Sequence, residues 1–158
     1  ARLLDAVEAV NGEQKRKLFH KLSSHYGDNL AGKTIAVWGL AFKPKTDDMR
    51  EAPSRVLIEA LWDAGAIVRA YDPEAAGEAA RIYGERDDLV LCDSAAAALD
   101  GANALAVVTE WQEFRSPDFD LLTAKILDRV IVDGRNLFDP EQMAQKGFHY
   151  YAIGRGLK

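Results

Sequence analysis

The sequence predicts an α/β domain: a doubly wound parallel sheet of about six strands, preceded by a long N-terminal helix. Three observations support this fold class. Short apolar runs alternate with helical segments along most of the 158 residues. The runs are apolar at consecutive positions, which is typical of strands buried on both faces of a parallel sheet. Apolar residues make up 48% of the chain and charged residues 28%, which suits a hydrophobic core with a charged surface.

Residues 1–28 show helical periodicity, which includes Leu18 and Leu22 four residues apart. The pair Asn11-Gly12 interrupts the pattern. It is either tolerated within one helix or caps a second one, and the residues alone leave both possibilities open. Gly27-Asp28-Asn29 is a stop signal. Because the chain begins without Met inside an amphipathic pattern, we expect it to be a piece of a longer protein.

Strands and helices then alternate. The six predicted strands are residues 34–39, 66–71, 89–92, 104–109, 130–133 and 148–153. The predicted helices between them are residues 53–64, 74–83, 94–99, 118–127 and 139–147. Pro53 and Pro140 suit first helical positions, and Ser94 and Asp139 suit N-caps. Right-handed crossovers between parallel strands then predict a Rossmann-like sheet with the strand order 3-2-1-4-5-6.

Charge and residue usage exclude several classes of function. The net charge is −5 and no basic run exceeds Lys15-Arg16-Lys17, which argues against a nucleic-acid partner. No apolar run approaches the roughly 20 residues of a membrane span, so no membrane partner is expected. The lone Cys92 excludes an intrachain disulfide and favours a cytoplasmic setting. The three histidines lack zinc-ligand spacing, so no metal site is expected.

Ligands of doubly wound sheets bind beyond the carboxyl ends of the strands, here between the first and fourth strands. Residues 40–54, 110–117 and 134–138 should line that crevice. The first of these segments follows Gly39, a single glycine where a dinucleotide-binding fold has a Gly-x-Gly-x-x-Gly run. The segment carries cations instead, which favours an anionic ligand held by side chains over a merely solvated loop. These cations include Lys43, Lys45, Arg50 and Arg55.

Other strand ends carry weaker signals. Asp72 stands where a dinucleotide fold binds ribose, but a turn former before Pro73 is the favoured interpretation. Gly134 permits an unusual backbone angle, and Arg135 then projects over the crevice, where a phosphate contact and a surface ion pair are equally open. Trp111 is interpreted as capping the core rather than walling the site.

Five segments together carry a family resemblance. They are Gly39–Lys43, Thr46–Pro53, Ala70–Pro73, Thr109–Trp111 and Asp133–Asn136. In order and spacing they closely resemble the C-terminal, UDP-binding domain of the UDP-glucose/GDP-mannose dehydrogenase family, and UDP-glucose 6-dehydrogenases in particular. The resemblance covers nearly all of the chain.

The resemblance implies an enzyme that oxidises the C6 alcohol of UDP-glucose to a carboxylate with NAD, through a thioester on a cysteine. It implies that Phe42, Lys43 and Arg135 contact the UDP-sugar and that Arg50 contacts NAD across a domain cleft. Residues 1–29 would be the end of a central interdomain helix, and residues 30–158 the UDP-sugar-binding domain. A homodimer or higher homo-oligomer is implied as well.

The chain also departs from the family pattern. It has no glycine-rich nicotinamide fingerprint and no segment like the catalytic-cysteine motif, and Cys92 stands in the wrong place for that role and is interpreted as a core residue. No residue is therefore assigned as catalytic, and the chain alone is expected not to turn over. Two alternatives stay open: the same domain of a UDP-N-acetylmannosamine or GDP-mannose dehydrogenase, and a stand-alone nucleotide-binding or oligomerisation module.

Overall fold

A computed structural model describes residues 16–153, which form a Rossmann-like fold around one parallel sheet. The strands are β1 (Thr34–Trp38), β2 (Ile67–Tyr71), β3 (Leu89–Leu91), β4 (Ala104–Val107), β5 (Val130–Asp133) and β6 (His149–Ala152). Their order across the sheet is β3-β2-β1-β4-β5-β6, and every neighbouring pair is parallel. The predicted sheet, with its first strand central, is confirmed.

Helices cover both faces of the sheet. After a helical stretch at residues 16–25 (α1) come α2 (Pro53–Asp63), α3 (Ala76–Tyr83), α4 (Ala95–Ala98), α5 (Gln112–Arg115), α6 (Phe119–Lys125) and α7 (Pro140–Gln145). Ser94 accepts a hydrogen bond from Ala97 N and Asp139 from Gln142 N, so both predicted N-caps are confirmed. The short α5 was not predicted. No helix of the described residues is long and apolar enough to cross a bilayer.

The described part of the N-terminal helix packs on the sheet. Leu18 and Leu22 of α1 are buried in the same hydrophobic cluster as Ile35 and Val37 of β1. Past residue 25 the backbone turns, and Asp28 N donates to Ser23 O at 2.8 Å, so the helix ends near the predicted stop signal. The Asn11-Gly12 interruption and the rest of the predicted long helix, residues 1–15, lie outside the described residues.

Each central strand contributes alternate side chains to two cores. In β1, Ile35 and Val37 join the cluster that contains α1 and α2, whereas Ala36 and Trp38 join the cluster on the opposite face. The prediction that all strands are buried on both faces is wrong at the edge strand β3, because Val90 is 40% exposed there. An edge strand has a neighbour on one side only, so its outward side chain is less covered.

Candidate functional site

The crevice lies where the sheet order reverses, beyond the carboxyl ends of β1 and β4, as the fold predicts. The loop after β1 closes on itself, because Phe42 N donates to Asp48 O at 3.0 Å. Met49 anchors the loop in the core at 1% exposure. Lys45 and Glu51 have φ angles of 66° and 54°, a region that non-glycine residues rarely adopt. The loop is therefore a fixed structure and not a solvated tether.

Gly39 at the end of β1 is packed too tightly to form a phosphate cradle. Its φ is +102°, and a Cβ placed on it would lie 2.5 Å from Thr109 Cβ and 2.6 Å from Thr109 N. The space that a glycine-rich turn offers to a pyrophosphate is thus filled by the protein's own β4 loop. The β1–α2 turn of this chain does not fit the NAD pyrophosphate.

Asp72, at the end of β2, is a buried acceptor for five hydrogen bonds. Its Oδ1 accepts from Glu74 N and Ala75 N at 2.8 and 2.9 Å. Its Oδ2 accepts from Leu40 N (2.7 Å), Ala41 N (3.0 Å) and Trp111 Nε1 (3.2 Å). A carboxylate has about four lone-pair sites, so none is left for a ribose hydroxyl. The turn-former interpretation is confirmed, and the side chain in addition joins three loops.

The Thr109–Trp111 segment after β4 is linked to the segments that follow β1, β2 and β5. Thr109 Oγ1 donates to Ala41 O at 2.6 Å, which ties it to the β1 loop. Glu110 pairs with Arg135 of the β5 loop, and Trp111 donates to Asp72 at the end of β2. Trp111 is half-buried and packs against the second core cluster, so the core-capping interpretation is confirmed.

Asp133 shapes the loop after β5. It is fully buried; Oδ1 accepts from Arg135 N at 3.0 Å, and Oδ2 accepts from Leu137 N at 2.8 Å and from the Tyr150 hydroxyl at 2.6 Å. These bonds hold the turn at residues 134–135 and the backbone that follows it. The sequence placed Asp133 at a strand end but gave no sign of this role, because the partners come together only in the folded chain.

Gly134 does not use the unusual backbone angle that a glycine permits. The positive φ in this turn belongs to Asn136, at 57°. Gly134 is required for a different reason: a Cβ there would lie 3.0 Å from Leu18 Cδ1 and 3.1 Å from Val107 O. The missing side chain lets α1 and β4 approach the β5 loop.

The candidate ligand residues emerge from these anchored loops. Phe42 is 42% exposed, and Lys43 Nζ lies 5.3 Å from the centroid of its ring. Arg135 is exposed, and its Nε donates to Glu110, so the structure shows the ion pair that the sequence left open. Contact of Phe42, Lys43 and Arg135 with a UDP-sugar stays a prediction.

Arg50 lies at the rim of the β1 loop and is 88% exposed. Its Nη2 contacts Asp48 Oδ2 at 2.7 Å, and its Nε donates to both oxygens of the same carboxylate. The hydrogen bonds from Arg50 lower the pKa of Asp48 to about 2. An exposed ion pair of this kind adds at most about 1 kcal/mol to stability, so it gives no structural reason for an arginine here.

Cys92 lies in the second core cluster, and burial raises the pKa of its thiol. A thiol with a raised pKa is a poor nucleophile, in line with the core interpretation. Within residues 16–153, no three or more His, Cys, Asp or Glu side chains are grouped so that they could hold a metal ion.

Comparison with known proteins gives consistent matches. Residues 36–140 match the family model described as UDP-glucose/GDP-mannose dehydrogenase family, UDP binding domain. A UDP-glucose 6-dehydrogenase of Pseudomonas aeruginosa is 52% identical over 159 residues, which cover 98% of this chain and 35% of that protein. The chain thus spans about a third of the length of the curated relatives it matches.

Solved structures agree on the fold. A UDP-glucose dehydrogenase from Pyrobaculum islandicum matches with a TM-score of 0.75 and 30% identity, over 93% of this chain and 31% of the other. An NDP-N-acetyl-D-galactosaminuronic acid dehydrogenase from Methanosarcina mazei matches with a TM-score of 0.72 and 26% identity, over 91% of this chain and 29% of the other.

Proposed function

The chain belongs to the UDP-glucose/GDP-mannose dehydrogenase family, within which it matches the UDP binding domain, and from that premise we propose that it binds the UDP-sugar of a UDP-glucose 6-dehydrogenase. The complete enzyme would oxidise UDP-glucose to UDP-glucuronate with NAD. Residues 30–158 would form the UDP-sugar-binding domain, residues 1–29 the end of an interdomain helix, and the enzyme a homo-oligomer. The chain itself would supply binding and no catalytic residue.

The observation that carries the proposal is that the Thr109–Trp111 segment joins the loops bearing the candidate ligand residues. Its Thr109 hydroxyl holds the backbone just before Phe42 and Lys43, and its Glu110 holds Arg135. Two cations thus stand on fixed loops at the ligand-binding edge of the sheet. A lysine supplies a point charge and an arginine a planar fork, which together suit a diphosphate. The exposed ring of Phe42 adds apolar surface beside them.

UDP affinity tests this site. Charge-assisted contacts contribute roughly 1.5–3 kcal/mol each, so Lys43→Ala and Arg135→Ala should each weaken UDP binding about 10- to 100-fold. Titration calorimetry on the 158-residue chain gives the dissociation constants. Lys125→Ala is the matched control, because Lys125, like Arg135, pairs with a carboxylate (that of Asp100) but precedes β5 at the opposite end of the sheet. Unchanged affinity in both crevice variants would rule out the site.

The nucleotide base separates two classes of substrate. Because the family includes GDP-mannose dehydrogenases, the same titration with GDP in place of UDP is the test. Preference for UDP supports the proposal, and preference for GDP favours a GDP-mannose enzyme.

Arg50 is proposed to contact NAD held by another part of the complete enzyme. Its side chain is almost fully exposed, so it is free to meet a neighbouring domain. We expect Arg50→Ala to leave the melting temperature and UDP affinity of this chain nearly unchanged, because an exposed pair contributes only about 0–1 kcal/mol. In the complete enzyme the same change should raise KM for NAD or lower kcat, since positioning at a closing cleft is costly to lose.

Lys45→Ala, in the same loop and also exposed, is the control for Arg50. Steady-state kinetics of the complete enzyme measure both variants. If the Arg50→Ala enzyme has the same KM for NAD and the same kcat as wild type, the proposed NAD contact is wrong, and Arg50 only forms the ion pair with Asp48.

A further inference from the structure

We infer that Glu110 is a positioning residue for the anionic ligand: it holds the Arg135 guanidinium by its Nε–H and so directs the two terminal amino groups toward the diphosphate. The inference rests on the proposed function and names a residue that the family resemblance does not assign. Glu110 would touch the arginine and not the ligand.

The geometry of the pair carries the inference. The hydrogen bond from Arg135 to Glu110 uses the Nε–H, one of the five N–H donors of a guanidinium. Among residues 16–153, neither terminal amino group of Arg135 donates to a protein acceptor. An arginine held from its side in this way keeps the end of the fork for a second, bidentate partner.

Burial is unequal across the pair. The Glu110 side chain is 22% exposed and that of Arg135 is 44% exposed, so the carboxylate is the more enclosed partner. A freely solvated pair would add little order, whereas an enclosed carboxylate restricts where the guanidinium can lie. The arginine therefore extends outward from a partly buried anchor.

Both ends of the pair are built on fixed backbone. The residues on either side of Glu110 are held by hydrogen bonds. Thr109 Oγ1 donates to Ala41 O at 2.6 Å, and Trp111 Nε1 donates to Asp72 Oδ2 at 3.2 Å. On the other side, Arg135 N donates to the buried Asp133 at 3.0 Å. The guanidinium is thus ordered before a ligand arrives, which lowers the entropic cost of binding.

Two substitutions distinguish positioning from competition. Gln keeps an acceptor for the Arg135 Nε–H and loses the charge, whereas Ala loses both. If Glu110 positions Arg135, Glu110→Ala should weaken UDP binding about 3- to 10-fold while Glu110→Gln stays within about twofold of wild type. If the carboxylate instead competes with phosphate for Arg135, both variants should bind UDP more tightly.

A double-mutant cycle completes the test, again by titration calorimetry with UDP on the 158-residue chain. In an Arg135→Ala background the effect of Glu110→Ala should vanish, because the group that it positions is gone. Asp100→Ala, which removes another paired carboxylate at the far end of the sheet, should leave UDP affinity unchanged. Binding of uridine, which has no phosphate, should not respond to Glu110→Ala.

The outcomes separate the two proposals. Suppose that the wild-type chain binds UDP and that Arg135→Ala weakens this binding. The proposed function then stands. The positioning role is wrong if Glu110→Ala leaves UDP affinity unchanged or raises it, or if Glu110→Ala still weakens UDP binding in the Arg135→Ala background. If wild type does not bind UDP, the proposed function fails and this inference fails with it.

Discussion

Replacing Asp72 by alanine should lower the free energy of unfolding of the chain by at least about 3 kcal/mol, because four backbone amides and one indole N–H lose a buried acceptor together. The same substitution should also weaken UDP binding. Two of those amides belong to Leu40 and Ala41, which lead directly into Phe42 and Lys43, so UDP binding should weaken even where the variant stays folded. Urea denaturation measures the first effect, and calorimetry at low temperature the second.

Asp118→Ala provides the control for Asp72. Asp118 also accepts hydrogen bonds from two backbone amides, at Asp120 and Leu121, but it is exposed and caps only the short helix α6. Its loss should cost about 0.5–2 kcal/mol and leave UDP affinity unchanged. Should Asp72→Ala fail to fold, Asp72→Asn is the substitute, because asparagine keeps one acceptor oxygen. Its loss of unfolding free energy should lie between the losses expected for Asp118→Ala and Asp72→Ala. Equal costs for Asp72→Ala and Asp118→Ala would contradict the joining role of Asp72.

The sheet could be predicted from the sequence because its signals are local. Apolar runs such as residues 104–109 have the length of a buried strand, and cap residues such as Ser94 bond to amides three positions away. Parallel strands with right-handed crossovers then leave few topologies to choose from. The sequence is less informative where neighbours in space decide: Val90 is exposed on the edge strand β3, beyond which no described residue pairs, and Gly134 is needed because Leu18 lies against it.

The candidate site could be located but its internal contacts could not. Strand ends are visible in the sequence, so the positions of Lys43 and Arg135 at one edge followed from topology alone. The partners of those strand-end residues lie far away in the chain: Asp72 and Leu40 are 32 residues apart, and Arg135 and Glu110 are 25 apart. No local pattern specifies such pairs, since each depends on how closely two loops approach in the folded sheet.

Gly39→Ala should lower the free energy of unfolding by about 2–5 kcal/mol, from two costs that add. A side chain at a φ of +102° is strained, and overpacking in a tight contact adds about 1–3 kcal/mol. The added Cβ would lie 2.6 Å from Thr109 N, a backbone atom that cannot swing aside, so the β1 and β4 loops must separate. Separation would stretch the 2.6 Å bond from Thr109 Oγ1 to Ala41 O, and UDP binding should weaken with it.

Gly101→Ala isolates the contact term from the backbone strain. Gly101 also has a positive φ, +74°, but a Cβ there meets nothing within 4 Å, so its substitution carries the strain alone, about 1–2 kcal/mol. Thermal and urea denaturation of both variants give the difference. A larger cost at Gly39 means that this glycine serves the approach of one protein loop to another, in the place where dinucleotide-binding folds use glycine to approach a pyrophosphate. Equal costs would mean that the two loops can separate freely, and the fixed crevice proposed for UDP would lose its structural basis.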